Sequence, residues 1–117
     1  MGRWGEAFVS AYLRDRVPPG FRVNWVNEAQ ETGLSYDIVV LDPSGAVDAY
    51  VEVKATATRE KTFFEFSHKE WLYAQMEGEA YHIYRVYGAG SRDACIARIV
   101  NPYLQWRSQK VGMCLAL

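Results

Sequence analysis

Apolar residues Trp4, Ala7, Phe8, Ala11 and Tyr12 recur at spacings of three and four, which predicts a helix over residues 3–16 with one buried stripe. Pro18-Pro19-Gly20 ends it. Phe21, Val23 and Trp25 then alternate with Arg22 and Asn24 in the period of a strand, and the polar run 27–35, containing Gly33, reads as a loop. Two runs rich in β-branched residues, 36–41 and 47–55, flank Asp42-Pro43-Ser44-Gly45-Ala46, a turn sequence, so together they predict a β-hairpin. A short aromatic run at 62–66 reads as a further strand. Ser67-His68-Lys69-Glu70 is a capping box that opens a helix running to about Glu77, with Gly78 as its stop. Strands are expected at 81–87 and 94–100, separated by a turn at Gly88-Ala89-Gly90-Ser91-Arg92, followed by a helical turn at 103–107 and a last strand at 111–115. The order α-β-β-β-(β)-α-β-β, without repeat or internal linker, predicts one domain over residues 1–117 of α/β (α+β) class, a mixed sheet flanked by helices.

Composition narrows the function classes more than the fold. With 117 residues, 50% of them hydrophobic and 15% aromatic, the chain is long enough for one core and excludes disordered and collagen-like classes. A formal net charge of −1 confines any nucleic-acid contact to a local patch. Cys95 and Cys114 lack CxxC or Cys/His spacing, which argues against zinc and against a disulfide framework and predicts reduced core thiols. His68 and His82 have no ligand partner at zinc spacing. No apolar run is long enough for a membrane span, and the opening residues lack the apolar core of a signal peptide. The expectation is an intracellular protein, cytoplasmic or nuclear, not secreted and without a membrane partner.

The hairpin carries the candidate chemistry. If Leu41 pairs with Asp48, the same register sets Asp37 opposite Glu52, and two facing carboxylates destabilise a sheet unless something neutralises them. A hard divalent cation such as Mg²⁺ does so with oxygen ligands. Along Val51-Glu52-Val53-Lys54 the period of two puts Glu52 and Lys54 on one face, adding an ammonium beside the pair. Such an ammonium can orient an attacking water and offset charge in a phosphorane-like transition state. Glu6, on the first helix beside its buried stripe, is a fourth member if the helix packs onto the sheet.

A helix with a Glu, a strand with Asp and a strand reading Glu-x-Lys resembles the PD-(D/E)XK nuclease superfamily, matched by Glu6, Asp37, Glu52 and Lys54. The words Gly2-Arg3-Trp4-Gly5-Glu6, Trp25-Val26-Asn27-Glu28, GLSYDI at 33–38, VEVKAT at 51–56, FEFSHKEW at 64–71 and Ile83-Tyr84-Arg85-Val86 resemble, in order, the NO VEIN C-terminal domain family. The resemblance implies a restriction-endonuclease-like core in which Asp37, Glu52 and the backbone carbonyl of Val53 bind Mg²⁺ or Mn²⁺. It implies further that Lys54 positions the hydrolytic water and that Glu6 holds a second metal or a water. The implied substrate is a phosphodiester of nucleic acid, DNA rather than RNA, cleaved by in-line attack of water to leave a 5′-phosphate and a 3′-hydroxyl. The implied context is the C-terminal piece of a larger protein in a restriction, repair or nucleic-acid processing role. ATPase or helicase-like domains in the same or a partner chain are then expected, and both monomer and dimer are compatible with the sequence. The family often continues Ala-Thr-Arg-Ser after Glu-x-Lys, whereas residues 55–61 here are slightly longer, a loop expected to border the substrate groove with Arg59 and Lys61 as phosphate contacts.

Blander readings account for other residues. The capping box explains Ser67 and Glu70 without function. Trp4 and Trp25 sit at apolar-periodic positions expected to build the core, and Gly88-Ala89-Gly90 lacks the helix and Lys of a phosphate loop. Glu28 and Tyr36 flank the site as second-rank candidates. Arg85, within an apolar strand, either pairs with a carboxylate inside the fold or faces a nucleic-acid groove, and with Arg59 and Lys61 it makes up the candidate nucleic-acid contacts. The rival to a metal-dependent endonuclease is a catalytically inactive module of the same fold serving nucleic-acid or protein interaction.

Overall fold

Five extended segments pair into a single sheet, seen in a computed structural model that describes residues 2–115. Helix α1 (Gly2–Arg16) leads into strands β1 (Arg22–Trp25), β2 (Ile38–Leu41) and β3 (Val47–Ala55). Helix α2 (His68–Glu77) follows with a 3-10 turn at Gly78–Ala80, then β4 (Tyr81–Tyr87), β5 (Cys95–Val100) and α3 (Pro102–Arg107). The strand order is β1-β2-β3-β4-β5, antiparallel throughout except between β3 and β4. That one parallel step needs a crossover, and residues 56–80 with α2 supply it. The chain is thus an α+β fold with a mixed sheet.

The two faces of the sheet are covered by different helices. Val9 and Leu13 of α1 pack with Ile38, Val40, Val51, Val53, Tyr84 and Val86 on one face. Ala74 of α2 packs with Tyr81, Ile83, Tyr36, Tyr50 and Phe66 on the other. Gly5 lets α1 lie close on β3, because a Cβ at that position would stand 2.6 Å from the Ala55 Cβ. Ser67 caps α2 in a complete capping box, and Gly78 ends it at φ +57°, a conformation that favours glycine.

The hairpin register is as expected from Ile38↔Val51 to Val40↔Ala49, but Leu41 pairs with Val47 and not with Asp48. A bulge at Val40/Leu41 absorbs the shift, where Asp42 turns its carboxylate onto the backbone N–H groups of Ser44 and Ala46. Residues 62–66 form no strand; the Phe63 carbonyl is met by a side chain, described below. No strand forms at 111–115 either. Cys95 and Cys114 are exposed and not core thiols. Cys95 lies at an edge-strand position facing outward, which the apolar neighbourhood in sequence concealed. Trp4 is part-exposed and stacks on Phe8 one turn along α1, while Trp25 is half-buried. Among the described residues no helix is long and apolar enough to cross a membrane.

Candidate functional site

The site forms where β2 ends before β3 does. Asp37 directly precedes β2, and its N–H donates to the Val51 carbonyl at 2.8 Å, continuing the ladder by one bond. One step further the side chain takes over: the Val53 N–H donates to Asp37 Oδ2 at 2.8 Å. Within a strand the N–H and C=O of one residue point to the same side, so the Val53 carbonyl also lies on the side that β2 has vacated. The other carboxylate oxygen, Oδ1, accepts from Asn27 Nδ2 at 2.9 Å. Asn27 is itself buried, and its Oδ1 accepts from the Thr32 N–H and hydroxyl, so the 27–35 loop holds the carboxylate in place.

Glu52 and Lys54 face α2, as the alternation along β3 requires. Lys54 Nζ lies 3.3 Å from Glu52 Oε2, and it donates to Glu70 Oε1 and Oε2 at 3.1 and 3.3 Å. Glu70 projects from the first turn of α2, where the Ser67 N–H also donates to its Oε1 at 2.8 Å. One carboxylate therefore closes the capping box and anchors the lysine.

Burial dominates the protonation of this cluster. Glu52, one of the few buried charged residues, has its pKa pushed up to about 10 by burial first, then by sharing a hydrogen bond with Glu70 and by the charges of Asp37 and Glu70, with Lys54 opposing. Burial disfavours the charge on Glu70 too, but the hydrogen bond from Glu52, the Ser67 N–H and Lys54 outweigh it and hold its pKa below 4.5. Burial thus favours the neutral form of Glu52, while its partners favour the ionised form of Glu70. The pKa of Lys54 is raised, because its two carboxylates outweigh burial. Asp37 is raised by burial, against the lowering effects of the Val53 N–H, Asn27 and Lys54.

Glu6 stands apart from this face. The Trp25 indole Nε1 donates to its Oε1 at 2.9 Å, and its pKa is raised by burial foremost, with the charges of Asp37 and Glu31 adding to it. Among the described residues no three His, Cys, Asp or Glu side chains form a group able to hold a metal ion. The charge of Asp37 reaches Glu52, and with the Val53 carbonyl these two carboxylates are hard oxygen donors, of the chemical kind that Mg²⁺ takes together with retained water.

The remaining candidates divide. Arg85 pairs with no carboxylate: it is buried, and its guanidinium donates to three backbone carbonyls. Arg59 pairs with Asp93 at 2.9 Å on the surface, while the Lys61 side chain is exposed. Glu28 is exposed, its carbonyl accepting from Arg3, and Tyr36 packs against Tyr50 and Tyr73. Two residues of the cluster were absent from the candidates, Glu70 and Asn27. The capping box accounts for one oxygen of Glu70 and leaves the second free to serve elsewhere. Asn27 sits two residues beyond a predicted strand end in a polar run, and nothing local marks it as the partner of Asp37.

The family described as Protein NO VEIN, C-terminal matches residues 5–99. Two similar proteins come from Arabidopsis thaliana. Protein NO VEIN is 37% identical over 101 residues, 86% of this chain and 4% of that protein. Protein NO VEIN-LIKE is 41% identical over 85 residues, 73% of this chain and 13% of that protein. The chain therefore spans a small fraction of the length of these curated relatives. No solved structure matches it.

Proposed function

Since this chain belongs to the NO VEIN C-terminal domain family, we propose that it is a nuclease-like domain of PD-(D/E)XK, restriction-endonuclease-like type that uses a divalent metal to hydrolyse phosphodiester bonds in DNA. The observation that supports this reading is the junction of Asp37 with β3: a part-buried carboxylate fixed by the Val53 N–H, beside Glu52 and the Val53 carbonyl, with Lys54 on the Glu52 face. Asp37, Glu52 and that carbonyl would hold Mg²⁺ or Mn²⁺, which when bound supplies positive charge for a phosphoryl oxygen and for the attacking water. Lys54 would hold that water, and Glu70 fixes the direction of its ammonium. Asn27 and the Val53 N–H orient Asp37, and Trp25 orients Glu6 at the margin of the site. The near-neutral net charge suits substrate delivered by other domains of a longer protein.

The test is calorimetric titration of Mn²⁺ into the wild type, Asp37→Ala and Glu52→Ala, each checked for folding, followed by nuclease assays on DNA and RNA. Binding by the wild type that both variants lose supports the reading. No binding at millimolar metal removes it. One observation favours the inactive module as a second reading: Lys54 is already satisfied by two carboxylates, so the cluster is held together without an added ion.

A further inference from the structure

A groove of about 320 Å³, open to solvent, lies on the α2 side of the sheet beyond Lys54. Arg85, 4% exposed, forms part of its wall. The guanidinium is fixed: Nη1 donates to the Lys54 carbonyl at 3.2 Å, and Nη2 to the carbonyls of Lys61 and Phe63 at 2.6 and 3.1 Å. The rings of Phe64 and Tyr87 flank it at 5.2 and 5.4 Å. Its Nε is buried without a hydrogen-bond partner. Among the described residues no carboxylate lies within ion-pair distance of Arg85 or of Lys61. A buried cation answered only by carbonyls and rings is costly, and it leaves a positive field at the groove for an anion to satisfy.

The charge balance of the lining points the same way. Glu65 is the one carboxylate lining the groove among the described residues, against Lys54, Lys61 and Arg85. Lys54 is committed to Glu52 and Glu70, so Lys61 is the free contact and Arg85 the fixed charge beside it. Phe63 lies in the same lining and is 60% exposed, a large aromatic face that burial of the protein itself does not use. A phosphate-seeking pair of cations next to an uncovered aromatic ring is the pattern of a nucleotide subsite, in which a base stacks on the ring.

We propose that this groove binds single-stranded nucleic acid, one phosphate lying toward Lys61 and Arg85 and the adjoining base stacked on Phe63. Duplex is disfavoured because its base faces are occupied by neighbouring bases, and only an unpaired base can present a face to Phe63. Because Lys54 belongs both to the groove and to the acid cluster, a strand seated here runs past Asp37 and Glu52. The proposal thus extends the phosphodiesterase reading to the nucleotides beside the scissile bond, but binding needs neither metal nor cleavage.

Fluorescence anisotropy in EDTA tests it, with a labelled oligothymidylate, an oligouridylate and a duplex of equal length titrated with the wild-type chain. The expected result is single strand, of either sugar, bound roughly tenfold or more tighter than duplex. Phe63→Ala should then weaken single-strand binding between about fivefold and a hundredfold, the range that corresponds to loss of one base stack at ~1–3 kcal/mol, while Phe63→Trp retains it. Lys61→Ala should flatten the slope of log affinity against log salt by about 0.7, one phosphate contact on a single strand. Duplex bound as tightly as single strand, Phe63→Ala binding like the wild type, or no saturable binding overturns the proposal. Asp37→Ala in the same titration keeps the two readings separate: strand binding with no Mn²⁺ binding by the wild type leaves the groove standing while the metal-dependent reading falls.

Discussion

Glu52→Gln should stabilise the metal-free protein at neutral pH. The folded state keeps a proton on Glu52 that the unfolded chain gives up above its ordinary value of 4.5. Between that value and about 10 the folded state binds more protons than the unfolded one, so this group's contribution to stability is complete below 4.5 and is lost as pH rises. At roughly 1.4 kcal/mol per pH unit, the two and a half units up to pH 7 amount to about 3 kcal/mol, an upper figure because relaxation and water entry reduce it. Gln is neutral at every pH and can still donate to Glu70. Urea denaturation of both proteins from pH 4.5 to 8 should therefore show the variant gaining on the wild type with rising pH, by ~1–3 kcal/mol at pH 7, and matching it near pH 4.5. Glu70 does not mask the effect, since its lowered pKa acts below 4.5. A variant equal to or less stable than the wild type at pH 7, with the same dependence on pH, would refute the assignment of a proton to Glu52.

The loop that orients Asp37 can be tested through Asn27→Ala, which removes a buried amide bonded to Asp37 and Thr32; Mn²⁺ affinity measured by calorimetry should fall about 10- to 100-fold, as for other groups that hold a metal ligand in place. Gly5→Ala should cost ~1–3 kcal/mol in thermal denaturation despite the better helix propensity of Ala, because the added Cβ stands 2.6 Å from Ala55, and an unchanged Tm would contradict the close approach of α1 to β3. Ser67→Ala should cost about 1 kcal/mol of stability through the lost cap, with no change in Mn²⁺ affinity, because the backbone N–H of residue 67 and Lys54 still hold the Glu70 carboxylate.

Local patterning carries most of this fold, and the site follows as far as a single strand pair can carry it. The turn residues between β2 and β3 fix a register that places Asp37 one step beyond Ile38↔Val51, and the alternation of β3 then puts Glu52 and Lys54 on one face. What escapes the sequence is whatever depends on two segments meeting. Residues 62–66 look like a strand because aromatic residues favour pleated surfaces, yet the carbonyls of Lys61 and Phe63 are claimed by Arg85 from another strand. Glu70 is legible as a cap, and its second role exists only because α2 crosses over the end of β3. Glu6 was placed beside the stripe of α1, but its bond to the Trp25 indole comes from the packing of α1 against β1.

Charge accounting is what separates a working site from a leftover one. With Glu52 protonated, the group of Asp37, Glu52, Glu70 and Lys54 carries two negative charges and one positive, and ionisation of Glu52 would add one more negative charge. A single divalent cation offsets the resulting excess of two, whereas a monovalent one does not. A cluster retained only for packing gains nothing from a buried Glu at that position, since an uncharged side chain of similar size would remove the cost described above. Metal entry should therefore expel the proton, and calorimetry of Mn²⁺ binding near pH 7 in two buffers of different ionisation enthalpy reads the number released. Release of about one proton per ion, abolished in Glu52→Gln, ties the metal to this carboxyl; binding heats that are the same in both buffers place the ion somewhere else.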